Sequence, residues 1–300
     1  MVRKPPPLRA GDVVGVIAPA GAVDTAALEG GVAALQAAGL RVRVAPHALR
    51  RTGYLAGSDV ERAADLTAML ADPEVHAVIA ARGGYGAGRL LPLIEPATVG
   101  AAPKIFVGHS DVTFLLNAFV QDAHVVTFHG PMVTGLPHRP VALDLLLGLL
   151  GGDRAGWTLT APEVIRPGVA EGVLAGGCLA IVTAMLGTPH AIDTRGRLLF
   201  LEDVNERPFR IDRMLTQLRQ AGAFDDVAGV IFGEMVGCCG PGDDAVTVRD
   251  VVAEAFADAP FPVTFGLPSG HGVGTLTLPL GVRARMDGAT LTLLESPVAE

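Results

Sequence analysis

Short apolar runs alternate with helix-periodic segments over the first 130 residues, and each change of period predicts a boundary between elements. Residues 12–18 read as a buried strand, 41–45 as a second, 76–81 as a third and 104–108 as a fourth. Asp24 is placed to cap a helix that runs to Gly39, a residue suited to the left-handed position just past a helix end. Ser58-Asp-Val-Glu61 has the spacing of a capping box, and the helix it opens stops before Asp72-Pro73. Helical periodicity returns over residues 111–122. Strands alternating with helices predict a mostly parallel sheet with helices on both faces. Ligands in such sheets bind beyond the carboxyl ends of the strands.

The pattern breaks between residues 135 and 168, where Pro137, Pro140, Gly151, Gly152, Gly156, Pro162 and Pro167 accumulate. This predicts an N-terminal α/β domain over residues 1–134, a linker region over 135–168 and a C-terminal domain over 169–300. Within the last, a strand is expected at 198–201 and a helix at 208–221. Ile211, Met214, Leu215 and Leu218 share one face of that helix, with Pro208 and Gly222 at its ends. A strand at 227–232 and a helix capped by Thr247 follow. The chain closes with strands at 275–279, 282–286 and 289–294, the last two joined by the hairpin signal Asp287-Gly288. The second half is thus expected to be α+β with an antiparallel tail.

Half of the 300 residues are hydrophobic and the mean hydropathy is +0.43, yet no apolar run approaches the roughly 20 residues of a bilayer span. The basic start, Met-Val-Arg-Lys-Pro-Pro-Pro, leads into no apolar signal core, so the expectation is a cytoplasmic protein without a membrane partner. A net charge of −8 without a Lys/Arg cluster argues against binding nucleic acid or anionic lipid. Cys178, Cys238 and Cys239 are odd in number and two are adjacent, which gives no disulfide framework and no zinc spacing. All three are expected to be buried small hydrophobes in a reducing compartment.

Candidate chemistry begins at Ile105-Phe-Val-Gly-His-Ser-Asp-Val-Thr-Phe114, a strand, a sharp turn and a helix with Ser110 at the corner. That is the layout of a nucleophile elbow, with Val112 in place of the usual second glycine. A serine at a helix start lies beside backbone N–H groups that lack intrahelical partners and can stabilise an oxyanion, the N–H of Asp111 first among them. Serine is equally an ordinary N-cap, and this segment alone does not separate the two. Ala81-Arg-Gly-Gly-Tyr-Gly-Ala-Gly-Arg89 follows the preceding strand. It reads as a phosphate cradle lacking the G-K-[ST] ending, as an oxyanion loop in which Gly83 or Gly84 gives a second N–H, or as a tight turn.

A serine nucleophile needs a base, and there are eight histidines. His109 adjoins Ser110, where neighbouring side chains diverge. His47, His76, His124, His138 and His190 lack a glycine framework. His129 ends a strand at the relevant edge, and His271 stands in the glycine-rich loop Gly266-Leu-Pro-Ser-Gly-His-Gly-Val-Gly274. Glu202 and Glu234 each follow an apolar strand and are equally placed to orient a histidine. Asp203 is expected to point away from Glu202. These residues suggest a hydrolase with an incomplete triad.

Taken together, residues 11–20, 80–91, 103–113, 129–132, 176–177, 199–222 and 266–281 resemble the LD-carboxypeptidase family of serine peptidases, which includes microcin C immunity proteins. The resemblance implies Ser110 of Gly-His-Ser-Asp as nucleophile, although the family often has an aromatic residue where His109 stands. It implies Glu202 of Leu-Phe-Leu-Glu-Asp-Val and His271 of Gly-His-Gly as its partners, and oxyanion donors at the N–H of Asp111 and Gly84. An N-terminal α/β domain, a C-terminal domain carrying Glu and His, and a homodimer are also implied. So is a role in peptidoglycan recycling: hydrolysis of a murein tetrapeptide between its L-centred diamino acid and terminal D-alanine, with no metal or organic cofactor. Arg82 is a candidate to hold the substrate carboxylate. Two alternatives are a microcin-type immunity hydrolase cleaving a peptidyl-nucleotide amide, and a non-catalytic binder of nucleotides or sugar phosphates.

Overall fold

A computed structural model describes residues 2–152, 157–239 and 246–300. Two compact units divide the chain: Met1–Arg154 with Leu276–Gly281 and Ser296–Glu300, and Ala155–Thr275 with Val282–Glu295.

In the first unit the chain runs β1 (Val13–Ile17), α1 (Thr25–Ala37), β2 (Arg41–Val44), α2 (Asp59–Ala71), β3 (Val75–Ala80), α3 (Pro96–Ala101), β4 (Ile105–Gly108), α4 (Thr113–Gln121), β5 (Thr127–His129) and α5 (Pro140–Leu150). The five strands lie parallel in the order β5-β4-β3-β1-β2, and the late strand Leu278–Leu280 joins antiparallel at β5. Every residue of β1 and β4, and all but His76 of β3, is buried. Strands covered on both faces read as unbroken apolar runs, which is why the sequence marks them. The strand order reverses between β1 and β3, the position at which open parallel sheets commonly take their ligands.

Local capping chemistry sets the helix starts. The Asp24 side chain accepts a 2.9 Å bond from the Ala27 N–H, and Ser58 and Glu61 form the full capping box. Gly39 takes φ +86° just past α1. The region from 135 to 168 differs from the expected linker: it holds α5 and two strands of the second unit. Pro140 occupies the first turn of α5, where its missing N–H costs nothing, and Leu143, Leu146, Leu149 and Leu150 are buried. Proline there starts a helix instead of breaking one. Gly156 lies outside the described residues.

The second unit contains β6 (Thr158–Thr160), β7 (Glu163–Arg166), β8 (Val169–Cys178), α6 (Leu179–Ala184), β9 (Arg197–Val204), α7 (Pro208–Gln220), β10 (Gly229–Val236), α8 (Val248–Ala255) and β11 (Val263–Phe265). After β12 (Leu278–Leu280) returns to the first sheet, β13 (Arg283–Asp287) and β14 (Thr290–Leu293) complete the second. Its order is β6-β14-β13-β8-β9-β10-β11-β7, with β8 to β11 parallel and antiparallel strands on either side. The antiparallel hairpin therefore flanks a parallel core that the sequence pattern only partly marks. Strand β8 carries no clear apolar alternation because its glycines admit the neighbouring backbone: a Cβ at Gly176 would lie 2.0 Å from the Phe200 carbonyl oxygen. Ile211, Leu215 and Leu218 of α7 pack with Leu199, Leu201 and Phe232 in the core of this unit.

Gly31 of α1 gives a stability test. Alanine would favour the helix by about 1 kcal/mol, but its Cβ would lie 2.0 Å from the Val133 carbonyl oxygen, a rigid backbone atom. Overpacking of this kind costs roughly 1–3 kcal/mol, so the clash outweighs the propensity. Gly31→Ala is expected to lower the denaturation midpoint, and an unchanged or higher midpoint would show that α1 shifts freely.

Candidate functional site: a strained serine turn and a buried Glu–His pair

At the end of β4 the chain turns sharply. Gly108 makes this possible, since a Cβ there would lie 2.6 Å from Val112 Cγ1. His109 is extended at φ −153°, and Ser110 then takes φ +60°, a left-handed conformation that serine adopts at a cost of about 1–3 kcal/mol. A 3-10 turn over Ser110–Val112 leads into α4. The capping alternative for Ser110 does not hold: His109 precedes the 3-10 turn, Val112 precedes α4, and neither start has a side-chain cap bond.

The glycine loop after β3 lies directly against this turn. A Cβ at Gly83 would lie 2.8 Å from Ser110 Cβ and 3.0 Å from Ser110 Oγ, so residue 83 must be glycine for the loop to approach. The Gly83 carbonyl accepts a 3.1 Å bond from the Gly21 N–H, tying the loops after β1 and β3 together where the strand order reverses. Gly84, at φ +114°, packs against Gly21.

Buried polar groups hold the loop from beneath. The Asp111 carboxylate, 2% exposed, accepts a 2.7 Å bond from the Ala87 N–H and another from the Gly86 N–H. Burial pushes its pKa up to about 6, against the opposing pull of those two N–H groups and the Arg62 charge. Arg62, fully buried, donates to the Gly86 and Pro19 carbonyls and pairs with Asp59. The sequence points only to the main-chain N–H of Asp111. Its side chain is the direct tie between the serine turn and the glycine loop.

In the second unit, β9 runs longer than the apolar pattern suggested and carries Glu202 and Asp203 inside it, both buried. Glu202 Oε2 lies 2.6 Å from His271 Nδ1, with the glutamate side chain 0% exposed and the histidine 14%. A carboxylate only accepts, so the proton between them belongs to Nδ1, and Nε2 is then the basic nitrogen. Glycines let the His271 loop come this close. A Cβ at Gly270 would lie 2.8 Å from Glu202 Oε2, and one at Gly272 only 1.9 Å from Glu234 Oε1.

Sequence spacing left Glu202 and Glu234 level, whereas the geometry gives them different tasks. Glu202 bonds the imidazole. Glu234 bonds the backbone around it, donating its N–H to the Ser269 carbonyl at 2.9 Å and accepting from the Gly272 N–H at 2.9 Å. Asp203 turns the other way, accepting from the Ala180 and Val204 N–H groups at 2.9 and 2.8 Å. Burial pushes its pKa up to about 6.

The other candidates have local partners. His109 Nδ1 lies 2.9 Å from the Gly130 carbonyl, His129 is buried in β5 beside the His109 ring, and His47 pairs with Asp65. Cys178 and Cys238 are buried, but Cys239, beyond the end of β10 at Val236, is exposed. Among the described residues no group of His, Cys, Asp and Glu is arranged to hold a metal ion. No helix there is long and apolar enough to cross a membrane.

Residues 14–130 match the model of the LD-carboxypeptidase N-terminal domain, and residues 171–286 match that of the LD-carboxypeptidase C-terminal domain. The chain belongs to the LD-carboxypeptidase family. It is a hydrolase of that type. Among its relatives is a probable murein peptide carboxypeptidase of Bacillus subtilis, 39% identical over 99% of this chain and 96% of the relative. The murein tetrapeptide carboxypeptidase of Pseudomonas aeruginosa is 33% identical over 93% of this chain and 94% of its own length. A solved structure of the microcin C7 self-immunity protein MccF in complex with glutamyl sulfamoyl guanosine shares the fold, with a TM-score of 0.91, 22% identity and 99% of each chain covered.

Asp203 supplies a pH test. Its folded-state pKa of about 6 exceeds the unfolded value, so the folded state holds an extra proton between these two limits. The resulting stability is fully present below about pH 4 and is lost as the pH rises through about 6, a change of roughly 2–3 kcal/mol. Asp203→Asn, neutral throughout, is expected to gain about that much on the natural chain between pH 4 and pH 7 in unfolding free energy. Parallel stability profiles would mean that the carboxyl titrates normally.

Proposed function

We propose that this hydrolase is a serine peptidase removing the terminal D-amino acid from a murein tetrapeptide, at the amide that follows the L-centred diamino acid. The observation that supports the reading most is the 2.6 Å bond between fully buried Glu202 and His271 Nδ1. It is the carboxylate–imidazole arrangement that turns a histidine into a directed base. In this reading Ser110 is the nucleophile, carried by the N-terminal domain, and its left-handed backbone presents Oγ at the end of a buried strand.

His271 Nε2 takes the Ser110 proton as Oγ attacks the scissile carbonyl. The N–H groups of Asp111 and Gly84 receive the oxyanion. Glu202 holds the imidazole tautomer and balances the imidazolium charge. Collapse of the tetrahedral intermediate passes the proton to the leaving amine, releasing the D-amino acid and leaving an acyl-enzyme. A water, deprotonated by the same imidazole, then completes hydrolysis. The setting is cytoplasmic recycling of cell-wall peptides by a homodimer. The two relatives named for murein peptides, at 39% and 33% identity, support this substrate over an aminoacyl-nucleotide amide of the kind in the MccF complex.

Three results test this reading. Ser110→Ala should leave no more than a few percent of the rate with the fold intact, because the Ser110 side chain caps neither helix start. Release of D-alanine from a murein tetrapeptide, read by mass, with none from an all-L analogue, is the expected specificity. Turnover of an aminoacyl-nucleotide amide alone would promote the immunity-type alternative.

The third result separates the two glutamates. Glu202→Gln should lower kcat by roughly 10²–10⁴ with little change in KM, since the amide cannot balance the imidazolium. Glu234→Gln keeps an oxygen to accept the Gly272 N–H, so any loss should follow its melting temperature. A dead, well-folded Glu234→Gln beside an active Glu202→Gln would overturn the triad.

A further inference from the structure

Three arginines surround the glycine loop, and they differ in how their charge is met. Arg62 is buried and paired with Asp59. Arg89 donates to the same Asp59 from Nε at 2.9 Å and from Nη2 at 2.8 Å. Arg82 is exposed and, among the described residues, faces no carboxylate. Its single bond is from Nη1 to the Ala22 carbonyl at 3.1 Å, which leaves donors of the guanidinium fork available. The fork is nonetheless held in place. A Cβ at Gly21 would lie 3.6 Å from Arg82 Cζ, and one at Gly84 3.6 Å from Nη2, so the guanidinium rests over two bare backbones where the strand order reverses between β1 and β3.

We propose that Arg82 binds the C-terminal carboxylate of the substrate and thereby restricts cleavage to the chain end. The inference rests on the serine-peptidase reading of Ser110 and deepens it. A carboxypeptidase must distinguish a free terminal carboxylate from a continuing amide, and a planar guanidinium is the side chain that recognises a carboxylate with two parallel bonds. The guanidinium belongs to the same loop that meets the serine turn, over Gly21 and Gly84. The carboxylate carbon of the departing residue lies three bonds from the attacked carbonyl carbon, about 3–4 Å away. Arg82 is one residue from Gly83, whose Cβ would touch Ser110 Oγ at 3.0 Å. Arg82 touches the substrate but no atom that changes bonding, so its task is binding and positioning.

The experiment compares a murein tetrapeptide with its C-terminal carboxamide, which removes the charge and keeps the shape. Affinities for both are measured by calorimetry on Ser110→Ala, and on Ser110→Ala carrying Arg82→Ala or Arg82→Lys, with melting temperatures to confirm the fold. Ser110→Ala should prefer the acid by roughly 10-fold or more. Arg82→Ala should weaken the acid by roughly 10- to 100-fold and the amide by less than about 2-fold, with Arg82→Lys keeping part of the preference.

An unchanged acid-to-amide ratio in Arg82→Ala, equal loss of both peptides, or no binding of either peptide to Ser110→Ala would overturn the assignment. Turnover by the unaltered enzyme is scored separately. Hydrolysis with a ratio indifferent to Arg82 sinks the arginine assignment alone. An Arg82-dependent ratio without hydrolysis sinks the serine-peptidase reading alone.

Discussion

The serine turn exists in its present form only because residue 83 has no side chain. With Gly83 against Ser110, a glycine loop and a strand-to-helix turn from neighbouring strands share a space that a single methyl group would fill. Such an approach places two main chains in contact, and each peptide group there must find a partner or face water. The first unit meets that demand with buried side chains. Asp111 takes the N–H groups of Gly86 and Ala87, and Arg62 takes the carbonyls of Pro19 and Gly86. The polar residues beneath the loop are therefore structural necessities of the close approach, and the raised pKa of Asp111 is the electrostatic consequence of using a buried carboxylate for the task.

The second unit solves a similar problem with the same means. To bring an imidazole onto a carboxylate inside a strand, the His271 loop must run within van der Waals distance of two glutamates, and Gly270 and Gly272 are the residues that permit it. Glu202 and Glu234 then divide the work, one on the ring and one on the backbone. In both units glycine-rich loops meet the ends of buried parallel strands, which is where parallel sheets leave side chains open to ligands. Arg82 stands exposed in the glycine loop that follows β3 of the first sheet.

Much of this organisation is local and so was legible in the sequence. The caps at Asp24, Ser58 and Thr247, the Asp287-Gly288 hairpin and the apolar runs of β1, β3 and β4 depend on residues a few positions apart. The serine turn was legible as a layout and the Gly-His-Gly loop as a presenting loop, since glycine placement announces unusual backbone. Where the local signal misled, a tertiary contact was responsible. Helix α5 lies in a segment whose prolines suggested a linker, and β8 hides behind glycines that exist to admit β9.

What the sequence alone determined, then, was the alternating elements of the first unit, their parallel arrangement in the first sheet and a short roster of chemically able residues. It could not rank Glu202 above Glu234, because both close apolar runs of the same kind and neither spacing encodes which oxygen meets a nitrogen 69 or 37 positions away in the chain. Nor could it tell a capping serine from a strained one, since that difference is a backbone dihedral angle imposed by packing against the turn. Only the folded chain shows that Arg62 and Arg89 both pair with Asp59 while Arg82, among the described residues, pairs with no carboxylate. Pairing of charges is decided in three dimensions, because Coulomb energy depends on separation and burial and has no term for distance along the sequence.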